Sequence, residues 1–93
     1  MEQIIAVLKE IDALINDQTD ISETAYDSAT EIKEDLEIFI ECLEDGMYEC
    51  IDDLSIHFLP QSTFNALALQ NGYLDKYQEW NSIFELNKKN ILK

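Results

Sequence analysis

The sequence predicts an all-α fold, a compact bundle of about five short helices forming one domain over residues 1–93. Three observations carry that expectation. Glycine occurs twice and proline once, at Gly46, Gly72 and Pro60, whereas all-β domains need many turns and use more of both. Apolar residues return at steps of three and four along most of the chain, the period of a half-buried helix. The chain has 93 residues, 46% of them hydrophobic. That is enough for a single core and leaves little room for a deep cleft.

The elements follow in order. Ile4, Ile5, Leu8, Ile11 and Ile15, with Val7 and Leu14 widening the stripe, predict a first helix from about Glu2 to Ile15. Asn16–Asp20 is polar and reads as a loop. Asp20 with Glu23 three residues on resembles a capping box, followed by a seam of Ala25, Ala29, Ile32, Leu36, Phe39 and Leu43. The second helix is therefore expected to start at Asp20 and to end at Gly46 as a left-handed residue. A short third helix from about Met47 to His57 would turn Met47, Ile51, Leu54 and Phe58 inward, and Pro60 forbids its continuation. Ser62 is a suitable cap for a fourth helix carrying Phe64, Leu67 and Ala68 and closed by Asn71-Gly72. The fifth, from about Tyr73 to Asn87, aligns Tyr73, Tyr77, Trp80 and Phe84. At that spacing the aromatic stripe is core rather than a ligand box. There is no internal repeat and no low-complexity tract.

Charge is the feature that packing does not explain. Twenty acids face six bases, all lysine, for a formal net charge of −14. Residues 10–53 hold sixteen of the acids and one base, Lys33, while residues 54–93 hold three acids and four lysines. On a helical wheel Glu23, Asp27, Glu31, Glu34, Glu41 and Asp45 fall opposite the seam of the second helix. Several are like-charged i,i+3 or i,i+4 neighbours, each pair unfavourable by about 0.2–0.5 kcal/mol. Ile38 projects into the middle of that face, between Glu34 and Glu41, as an apolar anchor ringed by charge. The acid run continues through Glu44, Asp45, Glu49, Asp52 and Asp53.

This balance disfavours several function classes. Phosphate contacts need Lys and Arg, so direct nucleic-acid binding is not expected, nor is an anionic membrane surface. The longest apolar runs are a few residues, too short to span a bilayer. No basic n-region or signal-type apolar run opens the chain, so a cytoplasmic location is expected. A field of this sign steers a cationic protein.

Catalytic and metal chemistry find little support. Di-iron bundles need two Glu-x-x-His pairs, and the single histidine, His57, has no Glu three residues before it. Asp45-Gly46 lacks the pattern of a calcium loop. His57 reads as a structural residue closing a helix end, and exposed helical acids do not make an acid–base pair. No cofactor, no metal and no enzymatic activity are expected. Cys42 and Cys50 form no CxxC motif. Eight residues apart on one helix they would lie about 12 Å from each other, although a turn at Gly46 would bring them closer. Free, partly buried thiols in a reducing compartment are expected.

The segment Phe58-Leu59-Pro60-Gln61-Ser62-Thr63-Phe64-Asn65, then Gln70-Asn71-Gly72-Tyr73-Leu74-Asp75-Lys76-Tyr77, then Phe84-Glu85, resembles the C-terminal half of a group of small acidic bacterial immunity proteins. These are of the kind encoded beside polymorphic or contact-dependent growth-inhibition toxins. The resemblance covers Phe58 to Glu85. It departs at Asn65-Ala66, where the pattern favours Gln-Glu, and at Tyr73, where Trp is common. It implies a protein that binds and occludes a toxin domain, and its motif residues are scaffold. The acidic N-terminal half lies outside it.

The expectation from the whole sequence is a toxin-neutralising immunity protein that binds one basic partner 1:1, a toxin domain and in particular a nuclease. The partner-binding residues would be Glu31, Glu34, Ile38, Glu41, Glu44, Asp45, Glu49, Asp52 and Asp53. Two other readings stand beside it. A nucleic-acid mimic would bind DNA-binding proteins broadly, and a non-catalytic adaptor bundle would bind through apolar burial that survives high salt.

Overall fold

A computed structural model describes the chain except Met1, Asp17, Glu23, Ala25, Pro60, Gln61, Leu92 and Lys93, and the side chains of Asn90 and Ile91. Five helices run in order: α1 Glu2–Leu14, α2 Ala29–Glu44, α3 Cys50–His57, α4 Thr63–Asn71 and α5 Leu74–Ile91. Among the described residues there is no strand, and no helix is long and apolar enough to cross a membrane. The fold is the all-α bundle that the helical periodicity predicts.

Each helix buries one stripe, and the stripes meet in one core. α1 contributes Ile4, Val7, Leu8 and Ile11, and α2 contributes Ile32, Leu36, Ile40 and Leu43. Ile51 and Leu54 of α3 and Phe64, Leu67 and Ala68 of α4 meet Tyr77, Trp80 and Phe84 of α5 in the same cluster. α1 is the central element, packed on both α2 and α5. α3 lies against α2, and α4 against α5. Phe58, just past α3, ties the two sides together. Its ring stacks on Phe84 at 4.4 Å and meets Phe64 edge-on at 4.8 Å. Its carbonyl accepts a 2.7 Å hydrogen bond from the buried hydroxyl of Tyr77.

The stops behave as their residues dictate. Gly46, at φ 78°, ends α2. The Met47 N–H reaches the Cys42 carbonyl and the Gly46 N–H reaches Leu43, the paired bonds of a Schellman motif. Gly72, at φ 81°, ends α4 in the same left-handed conformation. Ser62 occupies the cap position of α4 but its side chain makes no capping bond.

The expected start of α2 is corrected. The helix begins at Ala29, and none of the described residues between 15 and 28 is helical. Asp20 caps no helix. Its carboxylate accepts from the Ser22 N–H and hydroxyl instead. The Thr24 hydroxyl donates to the Ile21 carbonyl. Such local side-chain bonds offer the backbone an alternative to helix. The cap is Ser28, in an extended conformation, its hydroxyl accepting from the Glu31 N–H. Ser28-Ala29-Thr30-Glu31 is itself a capping-box sequence. Glu23 and Ala25, the other residues of the expected start, lie outside the described set, as does the Pro60 stop.

Smaller corrections follow from the packing. Ile40 enters the core where Phe39 was expected, and Phe39 is half-buried beside it. Met47 is 51% exposed rather than inward, because the turn after Gly46 delays α3 until Cys50. Tyr73 is half-buried, its ring edge-on to Trp80 at 5.7 Å. α5 continues past Asn87 to Ile91.

Candidate functional site

The acidic face is built by α2. Burial of Ile32, Leu36, Ile40 and Leu43 fixes the rotation of the helix, so the residues between them point outward. Glu31, Glu34, Ile38, Glu41, Glu44, Asp45, Glu49, Asp52 and Asp53 are all exposed. Ile38 is 57% exposed, an apolar side chain standing among carboxylates.

Three lysines form ion pairs among the described residues, and of the face's acids these reach Glu44 alone. Lys33 turns to the end of α1, where its ammonium donates to the Asp12 and Ile15 carbonyls and lies 3.2 Å from the Asp12 carboxylate. The last four carbonyls of a helix have no donor within it, and α1 has no base of its own in its last turn. Lys76 pairs with Glu10 at 3.2 Å, and Lys9 with Glu44 at 3.4 Å. Lys88 lies 6.0 Å from the Phe84 ring centroid. Among the described residues, no cation pairs with Glu31, Glu34, Glu37, Glu41, Asp45, Glu49, Asp52 or Asp53. Glu44 stands apart from the other eight expected residues, since its carboxylate turns toward α1.

The face has an internal asymmetry. Asp52 and Asp53 occupy the first turn of α3, where the helix dipole favours them on its own account. Glu41 and Glu44 occupy the last turn of α2 with Asp45 capping it, and the turn holds no base of its own. That is the end at which the dipole disfavours anions. Folding alone therefore explains the acids of α3 better than those at the end of α2.

A second cluster lies along the other edge of α2, and the linear sequence does not announce it. His57, at the end of α3, sits among three rings: Tyr26 at 6.2 Å, Phe39 at 5.8 Å and Phe64 at 5.8 Å between centroids. Its Nδ1 is 2.8 Å from the Thr63 hydroxyl. The Tyr26 hydroxyl donates to Asp35 at 2.6 Å. Burial pushes the His57 pKa below its ordinary value, against the opposing pull of Asp35 and Asp53. Burial likewise pushes the Tyr26 phenol up, helped by its bond to Asp35. Tyr26, Ile56, His57, Ser62 and Thr63 line a surface groove of about 300 Å³ above this cluster. The expected structural role of His57 fits its bond to Thr63. The residues around it come from four separate stretches of chain, so no spacing rule could have joined them.

Cys42 and Cys50 are free and half-buried. Burial raises the Cys50 thiol pKa, and the neighbouring Cys42 adds to it. The Gly46 turn thus does bring the two ends of the hairpin together. Among the described residues no three His, Cys, Asp or Glu side chains are grouped to hold a metal ion.

No protein-family model matches the chain, and neither a curated protein nor a solved structure shows significant similarity to it. The reading of function therefore stands on the residues themselves.

Proposed function

We propose that the protein is a toxin-neutralising immunity protein that binds a basic toxin domain 1:1 in the cytoplasm and blocks it by occlusion, without catalysis or cofactor. The observation that carries this reading is the outer face of α2, where carboxylates without a paired cation surround an exposed Ile38, while Lys33 and Lys76 are paired elsewhere and Lys9 reaches only Glu44. A surface concerned only with solubility mixes both signs. A surface of one sign with a central apolar residue combines long-range attraction with a desolvated anchor. The binding residues are Glu31, Glu34, Ile38, Glu41, Asp45, Glu49, Asp52 and Asp53, with Glu44 at the rim because it is shared with Lys9. A nuclease domain is the favoured target, since its phosphate-binding cleft is basic.

The test is calorimetric titration against the basic toxin domain encoded beside this chain, at low and at high salt, with an unrelated basic DNA-binding protein as the comparison. Tight 1:1 binding to the toxin alone, weakened by salt, supports the proposal. Equal binding to the unrelated protein would replace it with nucleic-acid mimicry. Binding indifferent to salt would replace it with an apolar adaptor.

A further inference from the structure

We propose that the groove between Tyr26, Ile56, His57 and Thr63 is a receptor for a single arginine side chain of the protein partner. This inference rests on the reading that the partner is basic, and it names where one of its cations is held.

The groove has the size and the chemistry for that occupant. Its volume, about 300 Å³, lies at the lower end of pockets that hold small ligands, which suits one long side chain. The Tyr26 and His57 rings stand 6.2 Å apart with their planes 32° from parallel. A guanidinium is planar and stacks on such faces, which an ammonium does less well. Ile56 is 57% exposed at the rim, an apolar surface for the methylene stem of the arginine.

The charge around the groove is negative, and among the described residues no cation pairs with it. No carboxylate lines the groove itself, but Asp35 on α2 is tied to its Tyr26 wall by a 2.6 Å hydrogen bond, and Asp35 and Asp53 both act electrostatically on His57. Asp35 accepts one hydrogen bond, from Tyr26, and an ionised carboxylate has room for more. Lys33, the nearest base in sequence, is bound to the end of α1. His57 is held toward its neutral form by burial, so it does not repel an incoming cation. The groove differs from the outer face of α2 in being concave and lined chiefly by apolar and aromatic surface.

The test uses nuclear magnetic resonance on the isotope-labelled full chain, with N-acetyl-arginine methylamide as the probe and N-acetyl-leucine methylamide as the apolar counterpart. The expected result is saturable shift changes centred on the Ile56 methyls, the Thr63 amide and the Tyr26 ring with the arginine probe, and none there with the leucine probe at equal concentration. Asp53→Asn, an exposed change that leaves the Tyr26–Asp35 bond intact, should weaken the arginine probe by about two- to fivefold, the scale of one exposed charge pair. Asp35→Asn should weaken it further. Non-saturating shifts spread over Glu34 to Asp45 would overturn the proposal, as counterion condensation without a site. A leucine probe that binds the groove as well as arginine would also overturn it. Neither outcome involves the toxin, so failure here leaves the acidic-face reading to its own calorimetric test.

Discussion

His57 shows how one side chain can record its surroundings. It ends α3 within three aromatic rings and bonds to Thr63, and burial lowers its pKa below the ordinary 6.5. The unfolded chain therefore binds a proton more readily than the folded one. Stability is full above pH 6.5 and falls as pH drops through the folded-state value, levelling off below it. The wild type should lose urea resistance between pH 7.5 and 5.5, and His57→Gln, which can still bond to Thr63, should lose less over the same interval. Equal losses would mean that the histidine is not the titrating group. Tyr77 offers a pH-independent counterpart. Its hydroxyl serves the buried Phe58 carbonyl, so Tyr77→Phe should destabilise by about 1 kcal/mol in urea unfolding.

At the scale of elements, the joints decide where helices begin and end. Gly46 adopts φ 78°, and a Cβ added there meets nothing within 4 Å. Gly46→Ala should therefore cost only the left-handed backbone penalty, about 1–2 kcal/mol, read as a lowered urea midpoint with an unchanged slope. The long connection between α1 and α2 is held from the far side of the chain. Asn71 accepts from the Asp20 N–H and donates to the Asp20 and Leu67 carbonyls. Asn71→Ala should release the connection, seen as faster hydrogen exchange at the Asp20 amide while the core amides of α1 keep their protection.

The same joints explain what was legible beforehand. Strong apolar periodicity located α1 and the core of α2, and Gly46 and Gly72 end their helices as glycine chemistry predicts. The start of α2 was misplaced because Asp20-x-x-Glu23 and Ser28-x-x-Glu31 both read as capping boxes. Local periodicity could not choose between them. Asp20 is engaged with Ser22 locally and with Asn71, and the second contact is one that only the folded chain supplies. Met47 escaped the core for a similar reason, since the Schellman turn adds residues before α3 resumes the helical period.

For the whole molecule, the uneven charge was fully visible in the sequence, and so was the place of Ile38 on the acidic side of the wheel, but not its exposure, since another helix could have covered that side. The commitment of Lys9, Lys33 and Lys76 to particular acids was not, because those pairs span 35, 21 and 66 residues. Nor was the Tyr26–Asp35–His57 cluster, which depends on how α3 lies against α2. The remaining unpaired acids make the face of α2 a place where folding alone would favour other residues. Glu34 has Glu31 and Glu37 as i,i+3 neighbours of like sign, and each such pair is unfavourable by about 0.2–0.5 kcal/mol.

The most direct measurement is therefore Glu34→Lys, assayed for thermal stability and for calorimetric affinity toward the proposed basic toxin domain. If the face exists for a cationic partner, the variant should melt slightly higher than the wild type and bind at least tenfold more weakly, a change of about 1.4 kcal/mol. Unchanged affinity would contradict the account, leaving the acidic face of α2 without a role in binding.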